Sequence, residues 1–527
     1  MSFERTITSR GKKYRQLVES RWDKDKKRST IHVIRHLGAV VERNGKEVTI
    51  LPESRFDSID MAYPVGNIAV FWKIAEEFQI PGCLSNSIGE ENATAILLLV
   101  MNQLMGRRAL TKIGSWFMRS PLHRWIKVDR DKLTKDHLLS ALDSVSTRNG
   151  DESQSRSTQI QHILSESWRG IIGSDRPRYL FYQDITRIRW NGSENGLAER
   201  GYGSQVGRPH IGFGILVSRD HYMPLAGYAV RGSSPDKVTV KETVDNLSSW
   251  KTGRIILVWD RGFVSKANID YALKMKYHVL SGGPHTSSEV DAWISKYEDS
   301  SIERRENIME MPGERGIYLM DEIGTLFGHT CRIVVVIDPR GRDRSRTERD
   351  LAIQRLESET SGKRIAELKS SLSPIVKPAR GRRGYEIDPS EEEKARRLDG
   401  RSLLFCTDVS MSGRDIVRTY FQKDRVEKAF RHLKGDASLS PVRYQLPGRV
   451  EAYLSVVNFI AYEIIAAVIW KIKSSNMGIS YEDFMDKLSG ISEVVLVRKD
   501  KRIYRWTTVS REMQKLLKPF DILSLQT

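Results

Sequence analysis

RYLFYQDITRIRW, Arg178 to Trp190, is where the pattern along this chain changes. It reads as a strand, and two more follow it: HIGFGILVSRD (His210–Asp220) and MPLAGYAVRG (Met223–Gly232). The last two are joined tightly enough for a hairpin. KVTVKETVDNLSSW (Lys237–Trp250) then has the spacing of a helix. RIILVWD (Arg254–Asp260) is apolar almost throughout, as a strand buried on both faces must be. A further helix and the strand YHVLSGG (Tyr277–Gly283) complete the set. The order β-β-β-α-β-α-β predicts a mixed sheet covered by helices, an α/β domain.

That order is also the one found in the ribonuclease H-like fold, where three strands precede the first helix. The expected fold class is therefore α/β: a ribonuclease H-like mixed sheet interrupted by an insertion domain, with a mainly helical N-terminal region. Residues 1–175 are expected to form that basic, mainly helical DNA-binding region. Its first 30 or so residues look DNA-apposed, and IHVIRHLGAVVERNGKEVTIL (Ile31–Leu51) reads as two strands around an Asn44-Gly45 turn. Within it, ENATAILLLVMNQLM and RRALTKIGSWFM, meeting at Gly106, have the outline of a helix-turn-helix, with Arg107, Arg108 and Lys112 as its basic residues. Residues 176–284 are the first part of the catalytic core, 285–400 the insertion domain with its own small core, 401–475 the second part of the core, and 476–527 a C-terminal tail.

With 527 residues, several domains are expected. Lys and Arg number 85 against 67 Asp and Glu, a formal charge of +18. Such a balance favours a nucleic-acid or other anionic partner. Cys83, Cys331 and Cys406 are far apart. Neither a disulfide framework nor a cysteine zinc site is expected, and a reducing compartment is. The basic N-terminus lacks the apolar stretch of a secretory signal. YLSVVNFIAYEIIAAVIW (Tyr453–Trp470) is the one candidate membrane span, but Asn458 and Glu463 interrupt it. A buried helix is the expectation, with no membrane partner.

Three carboxylates draw attention. Asp184 lies inside the first sheet strand, and Asp260 closes RIILVWD ahead of an Arg-Gly turn. Strand C-terminal ends are where open α/β sheets place ligands. Asp338 and Asp408 end RIVVVID and SLLFCTD and match the same description. Strand order favours Asp184 and Asp260, which share one βββαβ unit; position alone leaves the choice open. The third carboxylate, Glu427, belongs to YFQKDRVEKAFRHLK (Tyr420–Lys434). There Val426, Phe430 and Leu433 fall on one helical side. Tyr420, Lys423, Glu427 and Lys434 fall on a neighbouring stripe about 60° wide. One acid among cations suits a metal ligand flanked by groups that hold a polyanion. Hard oxygen ligands of this kind suit Mg²⁺ or Mn²⁺, and three could hold two ions for an in-line phosphoryl transfer.

The chain resembles the DDE transposases of prokaryotic insertion sequences, of the insertion-sequence-four type with the YREK signature. That signature is Tyr, two residues, Arg, three residues, Glu, six residues, Lys; here it is Tyr420, Lys423, Glu427 and Lys434. Lys423 replaces the Arg, which keeps charge but loses bidentate geometry. Asp184–Thr186 and VWDRGF (Val258–Phe263) resemble the first two catalytic motifs, and the likeness runs from about residue 90 to 475. It implies a metal-binding triad of Asp184, Asp260 and Glu427 served by two Mg²⁺ or Mn²⁺ ions. It also implies phosphate contacts from Tyr420, Lys423 and Lys434, with Arg261, Arg431 and His432 as further candidates. The implied activity is cleavage at transposon ends and strand transfer into target DNA. The implied partners are terminal inverted repeats, target DNA and a second copy of the chain, in a prokaryotic cytoplasm near the nucleoid. Two alternatives stay open: a metal-dependent nuclease on the same fold without strand transfer, and an inactive DNA-binding descendant.

Overall fold

The computed structural model describes residues 2–23, 28–43, 46–50, 58–146, 156–173, 178–192, 194–200, 208–247, 254–311, 315–359, 362–378, 385–423, 439–498 and 501–526. The chain divides into two compact units. One comprises residues 1–70, 117–125 and 479–527, the other 71–116 and 126–478.

The expected helices lie within residues 66–172, whereas the described residues of the smaller unit up to Pro64 form strands. Strands β1 (Ser2–Ser9), β2 (Lys12–Asp23), β3 (Arg28–Arg43) and β4 (Lys46–Ile50) form an antiparallel sheet in sequence order. The expected pair of strands around Asn44 and Gly45 appears as β3 and β4, with Arg43 opposite Lys46; the two turn residues themselves lie outside the described residues. Residues 2–23, expected as a basic segment apposed to DNA, pair as an antiparallel hairpin, and some of their polar side chains find partners within the sheet. Lys13 meets Glu47 at 2.7 Å, and Arg5 donates to Gln16 at 3.1 Å. A second sheet joins β5 (Ser58–Pro64) to strands from the C-terminal segment, described below. Its fully buried Glu493 accepts from the Tyr63 hydroxyl at 2.5 Å and the Trp506 indole at 2.9 Å, and pairs with Arg124.

The larger unit is built on a nine-stranded sheet. Its strands are β6 (Arg178–Arg189), β7 (His210–Ser218), β8 (Pro224–Arg231), β9 (Arg254–Trp259), β10 (His278–Gly282), β11 (Ile308–Met311), β12 (Arg315–Leu326) and β13 (His329–Ile337). A small hairpin of β14 (Val376–Pro378) and β15 (Tyr385–Ile387) precedes the ninth, β16 (Arg401–Cys406). The spatial order is β8-β7-β6-β9-β10-β16-β13-β12-β11. Strands β6, β9 and β10 run parallel, and β7 and β8 are antiparallel hairpin partners on the β6 side. The five strands β8-β7-β6-β9-β10 reproduce the ribonuclease H-like arrangement expected from the sequence. All nine residues of β7 are buried, as are five of the six in β9, which is why both runs are apolar without alternation.

The region 285–400 differs from a self-contained insertion. Strands β11–β13 extend the main sheet, and β16 joins them to β10. A separate small core does form, from Leu356, Leu372 and Val376 beneath the helices Pro339–Ser358 and Gly362–Ser371. The apolar segment near 453–470 lies in a continuous helical stretch, Pro447–Ser474. It is long and apolar enough to cross a membrane, yet 94 % of its most apolar window is buried in protein. It is a core helix. Gln161 fixes it against the sheet, donating to the carbonyls of Gly227 and Ser455 at 2.6 Å each. Inside it, Glu463 is fully buried, and among the described residues neither carboxylate oxygen finds a hydrogen-bond partner. Helix Glu90–Leu104 is also a core helix, buried at every position from Ala95 to Leu104.

The C-terminal segment, which the sequence left unassigned, supplies β17 (Ser492–Arg498) and β18 (Lys501–Trp506). They pair antiparallel with each other, and β17 pairs with β5, so the start and end of the sequence share one sheet.

Candidate active site

Register decides the site. On the parallel pair β6 and β9, Tyr182 lies opposite Val258. Continuing two residues along each strand brings Asp184 level with Asp260, and the shared parity puts both side chains on the same face. The Asp184 carboxylate accepts from the Ile185 amide at 2.8 Å. Asp260 caps the turn Arg261–Phe263 and accepts from the Arg261 amide at 2.8 Å. That Arg-Gly turn fixes the carboxylate at the mouth of the strand.

Lys423 closes the group. Its ammonium lies 3.0 Å from Asp260 Oδ2, with the side chain almost fully buried. Burial pushes the Asp260 carboxyl up, but the charge and hydrogen bond of Lys423, with the Arg261 amide and guanidinium, outweigh it and hold its pKa below the usual value. Burial likewise works against the Lys423 ammonium. The charges of Asp260 and then Asp184 reverse the sign, so its pKa is raised. Lys423 therefore senses both carboxylates and is charged at neutral pH. The expectation had this residue facing DNA; here it faces the acids.

Lys423 is held by the helix Gly413–Phe421, capped by Ser412, whose Oγ accepts from the Asp415 amide at 3.2 Å. Tyr182, two residues before Asp184, donates to the carbonyl of Thr419 at 2.8 Å and ties the end of this helix to β6. Tyr420 follows directly. Its hydroxyl and the Arg261 guanidinium pack onto Gly282 at the end of β10: a Cβ there would lie 2.7 Å from Tyr420 Oη and 2.9 Å from Arg261 Nε. Arg261 also donates to His285 Nε2 at 2.6 Å, which requires that nitrogen to be unprotonated. Desolvation, then the Arg261 charge, lower the His285 pKa accordingly. Tyr420, Arg261 and Lys423 thus stand around Asp260. The helix ends at Phe421, and Glu427, Arg431, His432 and Lys434 lie outside the described residues.

Asp236 was not anticipated. It receives Arg187 at 2.9 Å and lies beside Gly262, where a Cβ would come within 3.2 Å of its Oδ2. Burial raises its pKa against the pull of Arg187, and the Asp260 charge adds to the rise. Ser-Pro-Asp in a connecting segment reads as a turn, so only Arg187, three residues after Asp184, could have hinted at a partly buried acid.

The two rival strand-end aspartates are accounted for. Asp408 is fully buried and binds Arg254, the first residue of β9, at 2.5 Å, together with the Ser410 hydroxyl at 2.6 Å. Because β16 runs against β10, Asp408 sits at the opposite end of the sheet from Asp260. Asp338 occupies the N-cap position of helix Pro339–Ser358, three strands from β9, a lateral offset of about 14 Å.

Among the described residues no group of three His, Cys, Asp or Glu is close enough to hold a metal ion. Asp184 and Asp260 are hard oxygen donors, and a cation already rests against them. Their chemistry fits a hard divalent ion that takes further ligands from elsewhere.

No known family profile matches the chain, and no curated protein does. Among solved structures it is similar to a piggyBac transposase synaptic complex with hairpin DNA, at 12 % identity, 82 % coverage of each chain and a TM-score of 0.36.

Proposed function

We propose that this protein is a DNA transposase of the DDE type, cutting DNA at element ends and joining them to a target by metal-dependent phosphoryl transfer. The observation that supports this is the register of the adjacent parallel strands β6 and β9, which, carried two residues past Tyr182 and Val258, brings Asp184 and Asp260 level, with Lys423, Tyr420 and Arg261 around Asp260.

In this reading Asp184, Asp260 and Glu427 hold Mg²⁺ or Mn²⁺. When bound, these ions lower the pKa of the attacking water or 3′-hydroxyl and neutralise charge on the phosphate. The chain's own residues do the rest. Arg261, held by His285 and packed on Gly282, presents a fixed cation beside the scissile phosphate. Tyr420 is a neutral hydroxyl at working pH, because burial raises its pKa, and it donates to a phosphate oxygen. Lys423 balances the carboxylates, and ions held there would take over that role and leave its ammonium available to the DNA. Lys434, Arg431 and His432 are assigned further phosphate contacts from the resemblance alone. The +18 charge brings DNA in, so binding weakens steeply with salt.

The test uses supercoiled plasmid carrying the DNA that flanks the coding region, with Mg²⁺. Nicking and joining by the natural chain are expected, with nicking lost in Asp184→Asn, Asp260→Asn and Glu427→Gln while DNA binding persists. Undiminished cleavage by Asp260→Asn refutes the assignment. Cleavage without joining of pre-cut ends selects the nuclease alternative.

A further inference from the structure

The larger unit contains a cavity of about 590 Å³ that the proposed chemistry does not use. Its lining is mixed: Leu99, Leu139, Pro441, Tyr444 and Tyr453 form an apolar and aromatic part of the walls. Buried Asn102 and Gln103 add polar edges. Exposed Arg108, Lys135 and Arg443 contribute to its lining, and among the described residues no carboxylate does. Lys135 and Arg443 take part in no ion pair among the described residues.

The walls are built, not incidental. Asn102 fixes the loop by accepting from the Arg108 amide at 2.9 Å and donating to its carbonyl at 3.0 Å. Gly106 and Arg107 both adopt left-handed backbone. Arg107 donates to the Pro441 carbonyl at 2.6 Å and lies over the Tyr453 ring, 5.2 Å from its centre. The loop suggested as a DNA-reading turn is thus one wall of a cavity, and Arg107 is part of its frame.

The cavity is also connected to the active-site strand. Trp190, just past the end of β6, forms a bridge with Val442, and its indole donates to the Tyr444 carbonyl at 2.9 Å. Six residues separate Trp190 from Asp184, about 20 Å along an extended strand. That distance is short enough for one nucleic-acid strand to reach both places.

A cavity of this volume with an apolar, aromatic wall, polar edges and cations but no acid among its described lining residues suits a flat base inside and a phosphate outside. We propose that this cavity binds a nucleoside phosphate, with the base between Leu139 and the tyrosine walls and the phosphate on Arg108, Lys135 and Arg443. The cavity chemistry stands by itself. Only the choice of a DNA strand over a free nucleotide as the source rests on the function proposed above.

The experiment uses the full chain and two probes. One is 2-aminopurine deoxyriboside 5′-monophosphate; the other is a single-stranded oligonucleotide with one internal 2-aminopurine. Both are followed by fluorescence without divalent metal. Leu139→Trp fills the cavity without changing charge, and Arg443→Glu reverses one cation. Each is expected to weaken binding roughly tenfold, the scale of one stacked base, while Arg443→Lys stays within about threefold. Unchanged thermal melts separate lost binding from lost folding. Saturable binding of the oligonucleotide alone upholds the proposal with a strand as source; binding of the mononucleotide upholds it with the free ligand as a source. Absence of saturable binding by either probe, or Leu139→Trp binding like the natural chain, overturns it. Mononucleotide binding by a protein that never nicks plasmid would sink the proposed function and leave the cavity assignment standing.

Discussion

Replacing Glu463 by Met should stabilise the protein, and by an amount that grows with pH. Glu463 is fully buried in the core helix, and neither carboxylate oxygen has a hydrogen-bond partner among the described residues. A buried polar group without a partner costs about 1–3 kcal/mol in mutational data, and Met fills similar volume without that cost. Ionisation adds a second contribution. Burial raises the Glu463 pKa well above its ordinary value. Between the unfolded pKa, about 4.3, and the folded one, the unfolded state has lost this proton and the folded state has kept it. The folded state then binds more protons, so stability falls as pH rises, by about 1.4 kcal/mol per pH unit from this group. Glu463→Met removes that slope. Urea unfolding followed by tryptophan fluorescence at pH 5.5, 6.5 and 7.5 measures it. The midpoint gap between variant and natural chain should open steadily with pH. Glu463→Gln should remove the same slope with less absolute gain, because the amide remains polar. A gap that does not change with pH, or a less stable Met variant, refutes the argument.

Three further outcomes are expected. Gly282→Ala puts a methyl against Tyr420 Oη and Arg261 Nε, the ends of flexible side chains; stability should fall by no more than about 1 kcal/mol while plasmid nicking drops at least tenfold, and full activity would remove the two side chains from the site. Asp408→Asn should cost about 2–3 kcal/mol in urea unfolding, less than a fully buried pair because Arg254 is half exposed, with nicking per folded molecule unchanged; Asp260→Asn should show the reverse pattern. Lys423→Met removes the cation at 3.0 Å from Asp260 and should tighten Mn²⁺ binding roughly tenfold by calorimetry while weakening DNA cleavage. Weaker Mn²⁺ binding in that variant would show that Lys423 supports the ion rather than competing with it.

The half of the fold that frames the site was legible because its strands are buried on both faces. Runs such as RIILVW and HIGFGILVS can be little else, and their order left few topologies. The continuation of the sheet through β11–β13 was not legible. Its pairing depends on β16, more than sixty residues beyond β13, and sequence pattern carries no record of which distant strand a strand will meet. The N-terminal hairpin was obscured by its cations, whose cross-strand partners appear only once the register is known. At the site, Asp184 and Asp260 could be singled out from strand order. Choosing between Asp260, Asp338 and Asp408 needed strand direction, which places Asp408 at the far end and Asp338 three strands away. Asp236 was hidden by a turn-like sequence. The inward pairing of Lys423 was hidden because a lysine on a charged stripe reads as solvent-facing until the helix end is tied to β6.

The position of β16 has a consequence for how the molecule is made. This strand, Arg401–Cys406, is wedged between β10 and β13 and leads directly into the helix that delivers Tyr420 and Lys423. A growing chain that has reached Asp260 holds two of the acids yet lacks both the wedge and the cation that balances them. At a synthesis rate of about 5–20 residues per second, the interval from Asp260 to Lys423 lasts roughly 10–30 s. Once β10 (His278–Gly282) has been made, and until β16 arrives, it presents an open edge beside an acidic pair that only Arg261 offsets. Completion of the sheet and neutralisation of the acids then follow one another closely, because the strand that fills the edge leads within twenty residues to the lysine that pairs with Asp260.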